Sequence, residues 1–202
     1  MYPPKHHQDY NTETIKSVAK AYPFATLVSS DGSVPFITHA PLIFHNDKLV
    51  GHIDRNNPHV NLLKENHFVT AIFQGPNTYI SPSIYTTKQL PTWNYIIAHA
   101  HGKAKTLVNP DEIKQSIVRM TEFLEGSNQK FILDIDDPRM DRLVPYIHCF
   151  EITIDSWEGK FKISQDKTSN DIENAKKELI QNNQKQVADF VNQMYELHFS
   201  SH

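Results

Sequence analysis

Residues 51–59 bring together the residue types that commonly bind a phosphate group. They read Gly-His-Ile-Asp-Arg-Asn-Asn-Pro-His, and they leave a predicted strand and enter a short predicted helix at Asn57 and Pro58. The arginine, the asparagine amides and the unpaired N–H groups of a helix start can all donate hydrogen bonds to anionic oxygens. A surface turn with a capping asparagine would use the same residues. The spacing therefore leaves a phosphate site and a plain turn both open.

Residues 73–83 and 91–95 form a second pattern, which is polar and aromatic. The first stretch reads Phe-Gln-Gly-Pro-Asn-Thr-Tyr-Ile-Ser-Pro-Ser, and the second reads Pro-Thr-Trp-Asn-Tyr. At strand ends, such side chains could stack on a flat ring system and hydrogen-bond its edge. Aromatic core packing with turn prolines is an equally good interpretation. Residues 83–91, which separate the two β patterns, form a polar loop that is long enough to be functional.

Histidine and cysteine give weaker indications of chemistry. His99 and His101 lie on one face of a predicted strand, but the sequence offers no recognisable third metal ligand. We therefore predict no metal site, and we assign no catalytic residue. His6 and His7 are expected to be solvated, as side chains near a chain terminus usually are. Cys149 is the only cysteine and lies in an alternating apolar run, which predicts a small core residue.

The composition indicates a globular protein and excludes several classes. Of 202 residues, 39% are hydrophobic and 21% are charged, which fits one domain with or without appended helices and argues against disorder. A net charge of −3 gives no overall attraction to nucleic-acid phosphates, so DNA binding would need a local basic patch. Because no signal-like segment and no run of about 20 apolar residues is found, we expect no membrane association and a cytoplasmic location.

Alternating apolar residues and turn signals predict about seven strands with peripheral helices. One helix is expected to start at Asn11 or Thr12 and a second at Asn109, with Leu124 on its buried face. A long amphipathic helix is expected over residues 170–197. Its predicted inward residues are Ile172, Ala175, Leu179, Val187, Phe190, Val191, Met194 and Leu197. Short turns favour a closed or nearly closed antiparallel barrel, and no glycine-rich nucleotide motif is present. The predicted strands are residues 24–30, 34–44, 48–53, 67–74, 78–82, 93–108, 148–154 and 159–164.

Several motifs follow one another along nearly the whole sequence. They are Met-Tyr-Pro-Pro at 1–4, Thr-His-Ala-Pro-Leu at 38–42, Gly-His-Ile at 51–53 with Arg55 and Asn57-Pro58, Phe-Gln-Gly-Pro at 73–76, Tyr-Ile-Ser-Pro-Ser at 79–83, Pro-Thr-Trp-Asn-Tyr at 91–95 and Gly-Lys-Phe-Lys-Ile-Ser-Gln at 159–165. Together, these motifs resemble those of the PaiB family. That bacterial family is described as FMN-binding negative transcriptional regulators, and it is related to the pyridoxamine-phosphate-oxidase-like FMN-binding split barrels. Any one motif would be a weak indication, whereas the ordered set is specific.

The resemblance implies both a fold and a cofactor. The fold would be mainly β with peripheral helices, an antiparallel, Greek-key-like split β-barrel over residues 1–168 followed by an amphipathic helical extension over residues 169–202. FMN would bind in a homodimer, at sites where the two subunits meet. The flavin would itself carry any hydride chemistry, with NAD(P)H or a small-molecule substrate as its reaction partner.

The resemblance also implies which residues surround the flavin. Thr38, His39, His52, Arg55, Asn57 and His59 would lie at the flavin and its phosphate, Tyr79 and Ser81 at the ring, and Trp93, Asn94, Lys162 and Ser164 would complete the site from the same or the partner subunit. Two positions depart from the family pattern, since Asp54 stands where alanine is usual and Ile84 where tryptophan is usual. A carboxylate at position 54 would oppose anion binding unless it points away or pairs with Arg55.

Three functions stay open at this point. A flavin-dependent oxidoreductase would be reduced by NADH or NADPH, whereas a transcriptional regulator would bind DNA or a protein. No helix-turn-helix is recognised, and the predicted C-terminal helix mixes acidic and basic residues. The third function is a haem-binding split barrel, with His39, His52 or His99 as an axial ligand.

Overall fold

The computed structural model describes residues 4–32, 34–183 and 188–199, with residues 198 and 199 described by their backbone only. Within these ranges the chain forms seven strands and five α-helices. The strands are β1 (Gln8–Asp9), β2 (Phe24–Ser29), β3 (Phe36–His45), β4 (Lys48–Asp54), β5 (His67–Ile80), β6 (Thr92–Thr106) and β7 (Ile147–Lys162). The helices are α1 (Thr12–Ala21), α2 (Pro110–Glu125), α3 (Pro138–Leu143), α4 (Ser169–Gln181) and α5 (Ala188–Phe199). No described helix is long and apolar enough to cross a membrane.

The strands form one sheet that closes on itself. Its order is β1-β7-β4-β3-β2-β5-β6, and β6 also pairs with β7, so that the six long strands form a ring of pairings. The pairs of β2 with β3 and β5, of β3 with β4, and of β7 with β1 and β4 are antiparallel. The predicted fold class, a mainly β split barrel with helices, is confirmed.

The first helix begins as the sequence predicts. Asn11 caps α1, because its side-chain oxygen accepts hydrogen bonds from the backbone N–H groups of Glu13 and Thr14 at 3.0 and 3.3 Å. Ile15 and Val18, which share one face of the helix, are buried. The strand β1 and the helix α3 were not predicted, because two and six residues are too few to show a period.

Two strands continue through positions at which the sequence predicts a break. β5 passes through Gly75 and Pro76, where a Cβ added to Gly75 would lie 3.2 Å from the backbone oxygen of Ile96. Because glycine has no Cβ, β6 can approach β5 closely at this position. The two strands predicted over residues 67–74 and 78–82 are therefore one continuous strand. β7 likewise runs through residues 155–158, which separate the strands predicted at 148–154 and 159–164. It pairs with β4 up to Ile152 and with β1 from Gly159, and these partners hold it extended on both sides.

The chain forms two compact units. Unit 1 consists of residues 1–22, 73–99 and 157–202, and unit 2 consists of residues 23–72 and 100–156. In unit 2, Ile113, Ile117 and Met140 form a buried cluster with Ile147 and Cys149, which confirms the core position predicted for the cysteine. The predicted burial of Leu124 is wrong, since this residue is 52% exposed. The apolar stripe of α2 is longer than the core cluster that it covers.

The C-terminal segment forms two helices where the sequence predicts one. After α4, Asn182 donates a side-chain hydrogen bond to Thr78 at 3.1 Å, and Asn183 donates one to the backbone oxygen of Asn77 at 3.3 Å. These contacts with β5 compete with continuation of the helix. Leu197 is 48% exposed, so its predicted burial is wrong, and Val187 lies outside the described residues. Ala175, Leu179, Val191 and Met194 are buried as predicted. The division into a barrel over residues 1–168 and an extension stays a prediction.

Candidate functional site

Three of the predicted flavin residues meet in unit 2, where β4 ends. Asn57 caps the short 3-10 turn Pro58–Leu62, because its Oδ1 accepts a hydrogen bond from the backbone N–H of His59 at 3.0 Å. The amide of Asn57 donates to the hydroxyl of Thr38 at 3.3 Å. His59 Nδ1 lies 2.9 Å from the same hydroxyl oxygen. We call Thr38, Asn57 and His59, together with His52 of β4 and Arg55 directly after β4, the cradle.

The cradle contains buried nitrogen atoms without a hydrogen-bond partner. His59 is only 1% exposed, and no described residue pairs with its Nε2 or with Nδ1 of half-buried His52. Burial lowers the pKa of both imidazoles, which keeps them neutral at pH 7. A neutral imidazole carries one N–H group, so when Thr38 donates to Nδ1 of His59, Nε2 is a donor. A buried donor of this kind is costly unless a ligand satisfies it.

Arg55 is held at the edge of the cradle by β7. Its backbone N–H donates to the oxygen of Tyr146 at 2.9 Å, which extends the pairing of β4 with β7 by one step. Its Nε and a terminal nitrogen donate to the oxygen of Ile147 at 3.3 and 3.2 Å. Because a guanidinium has five N–H groups, this exposed side chain retains donors for an anion. The carboxylate of Asp54 closes the turn by accepting from the backbone N–H of Asn56 at 2.7 Å.

His39 takes a different environment from that of its neighbour Thr38. Successive residues of a strand point to opposite faces of the sheet. The exposed imidazole of His39 stacks on Phe24, with the ring centroids 6.1 Å apart. The structure therefore joins Thr38, but not His39, to the hydrogen bonds of the cradle.

In unit 1, two of the predicted flavin-site residues form an exposed aromatic pair. Tyr79 and Trp93 are 47% and 49% exposed, and their rings lie 6.4 Å apart in a tilted arrangement. The indole N–H of Trp93 donates to Asn77 at 3.2 Å. Ser81 has a structural contact of its own, because its hydroxyl accepts from the backbone N–H of Ser83 at 3.2 Å. The aromatic pair offers two flat surfaces to a ligand or to a partner.

The other three predicted residues of unit 1 line a cavity of about 570 Å³. Asn94 and Ser164 are buried in its wall, where the amide of Asn94 donates to the hydroxyl of Ser164 at 2.9 Å. The hydroxyl of Tyr85 lies 2.9 Å from the same Ser164 oxygen. Lys162 donates to the hydroxyl of Thr92. The whole lining comprises His7, Tyr85, Lys88, Gln89, Leu90, Pro91, Thr92, Asn94, Lys162, Ser164, Asp166 and Lys167.

The loop over residues 83–91 forms much of this cavity wall, and α4 holds the loop in place. Asp171, which is fully buried, accepts hydrogen bonds from the backbone N–H and the hydroxyl of Thr86 at 2.6 and 2.8 Å and from the hydroxyl of Thr87. Burial alone would raise the pKa of Asp171, but these donors lower it to about 2. Asn174 donates to the backbone oxygen of Ile84 at 2.8 Å. A charged acceptor thus fixes the loop.

Sequence analysis missed several residues of the cavity. His7, expected to be solvated, is only 9% exposed and lies in the lining, so that prediction is wrong. β1 and the 3-10 turn Lys5–His7 precede α1 and bring this residue into the fold of unit 1. Tyr85 and Lys88 belong to the loop that the sequence singled out by its length and polarity. The spacing along the chain gave no sign that His7 would join them.

Comparison with known proteins agrees with this fold. A family described as "Putative FMN-binding domain" matches residues 1–156. A Bacillus subtilis protein, protease synthase and sporulation protein PAI 2, is 31% identical over 201 residues, which cover 95% of this chain and 96% of that protein. An uncharacterized protein of Emericella nidulans, AN0679, is 29% identical over 192 residues, covering 77% of this chain and 74% of that protein.

Among solved structures, an FAD and heme binding protein from Mycobacterium smegmatis has the same fold. It superposes with a TM-score of 0.64 at 16% identity, over 83% of this chain and 79% of the other. At that identity the likeness concerns the fold alone, whereas the family match and the Bacillus relative extend over most of the sequence. The chain therefore belongs to the PaiB family of FMN-binding split-barrel proteins, and its cofactor is FMN.

Proposed function

We propose that the cradle holds the phosphate group of FMN. The single observation that carries this proposal is the buried Nε2 of His59, which has no hydrogen-bond partner among the described residues although Thr38 and Asn57 fix the ring in place. In the tautomer in which Thr38 donates to Nδ1, this Nε2 carries the N–H group, and a phosphate oxygen is an acceptor that satisfies it. Arg55, at the edge of the cradle, would supply positive charge.

The residues present fit a phosphate group chemically. With the hydroxyl of Thr38 donating to His59, the amide of Asn57 and the two neutral imidazoles still carry N–H groups that can donate, and only Arg55 brings a formal charge. Asp54, whose carboxylate could repel the phosphate, is exposed and already accepts a hydrogen bond from its own turn. When bound, FMN supplies hydride and electron transfer, and these protein groups bind and orient it.

We further propose that the flavin ring is shielded in a homodimer, with Tyr79, Ser81 and Trp93 facing it from the same or the partner subunit. Support comes from the half-exposed Tyr79 and Trp93 of unit 1, because a monomer leaves these large rings in contact with water. Sedimentation equilibrium with saturating FMN is expected to give twice the mass of one 23.3 kDa chain. A mass of one chain would contradict the dimer and the shared site. The cytoplasmic location stays a prediction.

The phosphate proposal is tested by comparing two flavins. Arg55→Ala is expected to weaken FMN by about 1.5–3 kcal/mol and to leave riboflavin almost unchanged, because riboflavin has no phosphate to lose a charge-assisted contact. Fluorescence quenching of the flavin measures both affinities. Arg142→Ala, which removes another exposed arginine of unit 2, serves as the matched control and should change neither. Equal weakening of both flavins by Arg55→Ala would place this residue outside the phosphate site.

The activity of the bound flavin decides between the remaining functions. An oxidoreductase is expected to show loss of flavin absorbance on anaerobic addition of NADH or NADPH. A regulator is expected to retard a specific DNA or to retain a partner protein, with or without flavin, and haem would show a Soret band. The absence of a metal site also stays a prediction.

A further inference from the structure

The cavity of unit 1 is positively charged, in contrast to the chain as a whole. Its lining contains three ammonium groups and one carboxylate, a net charge of +2, whereas the whole chain carries −3. Lys167 Nζ lies 2.8 Å from the carboxylate of Asp166, so these two charges offset each other. Lys88 and Lys162 form no ion pair with any residue that the structure describes. Two ammonium charges of the lining are thus left without a counter-charge.

The positive charge around the cavity is one of the causes that change the pKa of His7. Burial, and then the charges of His6, Lys162 and Lys160, lower the pKa of His7 to about 4. At pH 7 its imidazole is therefore neutral and adds hydrogen-bonding capacity without adding charge. The positive field in the cavity comes from the lysines alone.

Buried side chains that hydrogen-bond each other form part of the cavity wall, so the wall does not consist of loose surface side chains alone. Asn94 is 0% and Ser164 4% exposed, and they hydrogen-bond each other. Ser164 has a φ of 64°, a left-handed conformation that non-glycine residues seldom adopt and that is enriched at functional sites. A buried polar pair and a strained backbone occur at the same residue.

The rest of the wall suits an organic molecule. Leu90 and Pro91 provide apolar surface beside the lysines, and Asp171 holds the loop that carries them through Thr86 and Thr87. A volume of about 570 Å³ lies within the range of small-molecule sites. The lining thus offers positive charge in one part and apolar surface in another. These features suit a molecule that carries an anionic group on an apolar organic framework.

We propose that this cavity is a second binding site, which takes a small organic molecule through a phosphate or carboxylate group held by Lys88 and Lys162. It shares no residue with the cradle, and it does not depend on the role proposed for the cradle. The recognised feature is the anionic group, which the ammonium groups bind as point charges.

Calorimetric titration of the FMN-saturated protein tests this site, because bound FMN keeps the cradle filled. Sodium phosphate and sodium acetate, at matched ionic strength, are the two probes, and the one that binds more tightly identifies the anionic group. Lys88→Met and Lys162→Met are each expected to weaken binding at least about tenfold. Lys88→Arg retains the charge and should retain binding. Lys177→Met, at an exposed position of α4, is the control and should bind as the unchanged protein does.

Three results would overturn the inference. The first is no saturable heat with either anion. The second is anion binding that survives both lysine variants but is lost in Arg55→Ala, which would place the anion in the cradle. The third is loss of FMN itself in Lys162→Met, which would assign the cavity to the flavin. Each of these results leaves the flavin comparison for Arg55 intact as a separate test.

Discussion

The cradle of unit 2 and the cavity of unit 1, the two proposed anion sites, would receive an anion in two different ways. In the cradle, the hydroxyl of Thr38, the amide of Asn57 and the neutral imidazole of His59 are fixed by hydrogen bonds, and His59 is 1% exposed. In the cavity, the ammonium groups of Lys88 and Lys162 share the lining with the buried pair of Asn94 and Ser164. Fixed neutral donors select the geometry of one group, whereas ammonium groups select mainly its charge. The two regions should therefore respond differently to substitution, pH and salt.

The largest expected effect is on the cradle. Asn57→Asp keeps the capping oxygen that accepts from His59, but it replaces the donor to Thr38 with a negative charge. We expect FMN affinity to fall by about 100-fold, with little change in Tm because Asp and Asn cap equally well. Fluorescence titration and thermal unfolding measure the two quantities. Asn109→Asp makes the same exchange at the cap of α2 and should leave FMN binding unchanged. Unaltered FMN affinity in Asn57→Asp would remove Asn57 from the phosphate site.

The second prediction concerns the buried pair in the cavity wall. Ser164→Ala leaves the Asn94 amide without its hydroxyl partner and keeps the left-handed backbone, so we expect a loss of about 2 kcal/mol in the free energy of unfolding. Ser164→Gly loses the same hydroxyl but adopts a positive φ readily. It should therefore be more stable than Ser164→Ala by about 0.5–1 kcal/mol. Urea unfolding separates the two variants, and a glycine variant as unstable as the alanine variant would argue against backbone strain.

Acid should destabilise both regions, for a reason that can be assigned to single histidines. Burial lowers the pKa of His59, and the pKa of His7 falls to about 4, whereas an unfolded histidine titrates near 6.5. Between these values the unfolded chain binds the proton and the folded chain does not, so stability falls as pH decreases from about 6.5 towards 4. His7→Gln should reduce proton uptake on unfolding by about one proton, measured from the pH dependence of urea unfolding. The same replacement at exposed His67 serves as the control, and equal slopes for both variants would contradict the assignment.

Salt should have the smallest effect, and it should separate the two sites. Raising potassium chloride from about 0.1 to 0.5 M should weaken phosphate binding in the cavity several-fold, because partly exposed lysine charges are screened. FMN binding should change less, since most donors of the cradle are neutral and are wholly or partly buried. Parallel titrations at each salt concentration measure both. An equal salt dependence at the two sites would show that charge, not fixed geometry, dominates in the cradle as well.

The candidate sites were predictable to the degree that they depend on neighbours in the chain. Residues 51–59 indicated a phosphate site because a strand end, an arginine and a capping asparagine follow one another directly. His7 gave no such signal, because its burial depends on residues more than seventy positions away, such as Tyr85 and Lys162. The sequence also gave no sign that Nε2 of His59 would lack a hydrogen-bond partner, since this depends on how Thr38 and Asn57 orient the ring.

By itself, the sequence determined the strand pattern, the caps at Asn11, Asn57 and Asn109 and hence the mainly β fold, because alternation and capping act within a few residues. Only the tertiary structure decided that β7 runs straight through residues 155–158 and that the C-terminal helix breaks at Asn182. In both cases the deciding hydrogen bonds come from partners distant in sequence. β1 and β4 pair with β7, and β5 accepts a hydrogen bond from Asn182. The local preference of a segment for helix or strand is weak compared with such long-range hydrogen bonds. The sequence could therefore indicate that these elements exist, but not where they end.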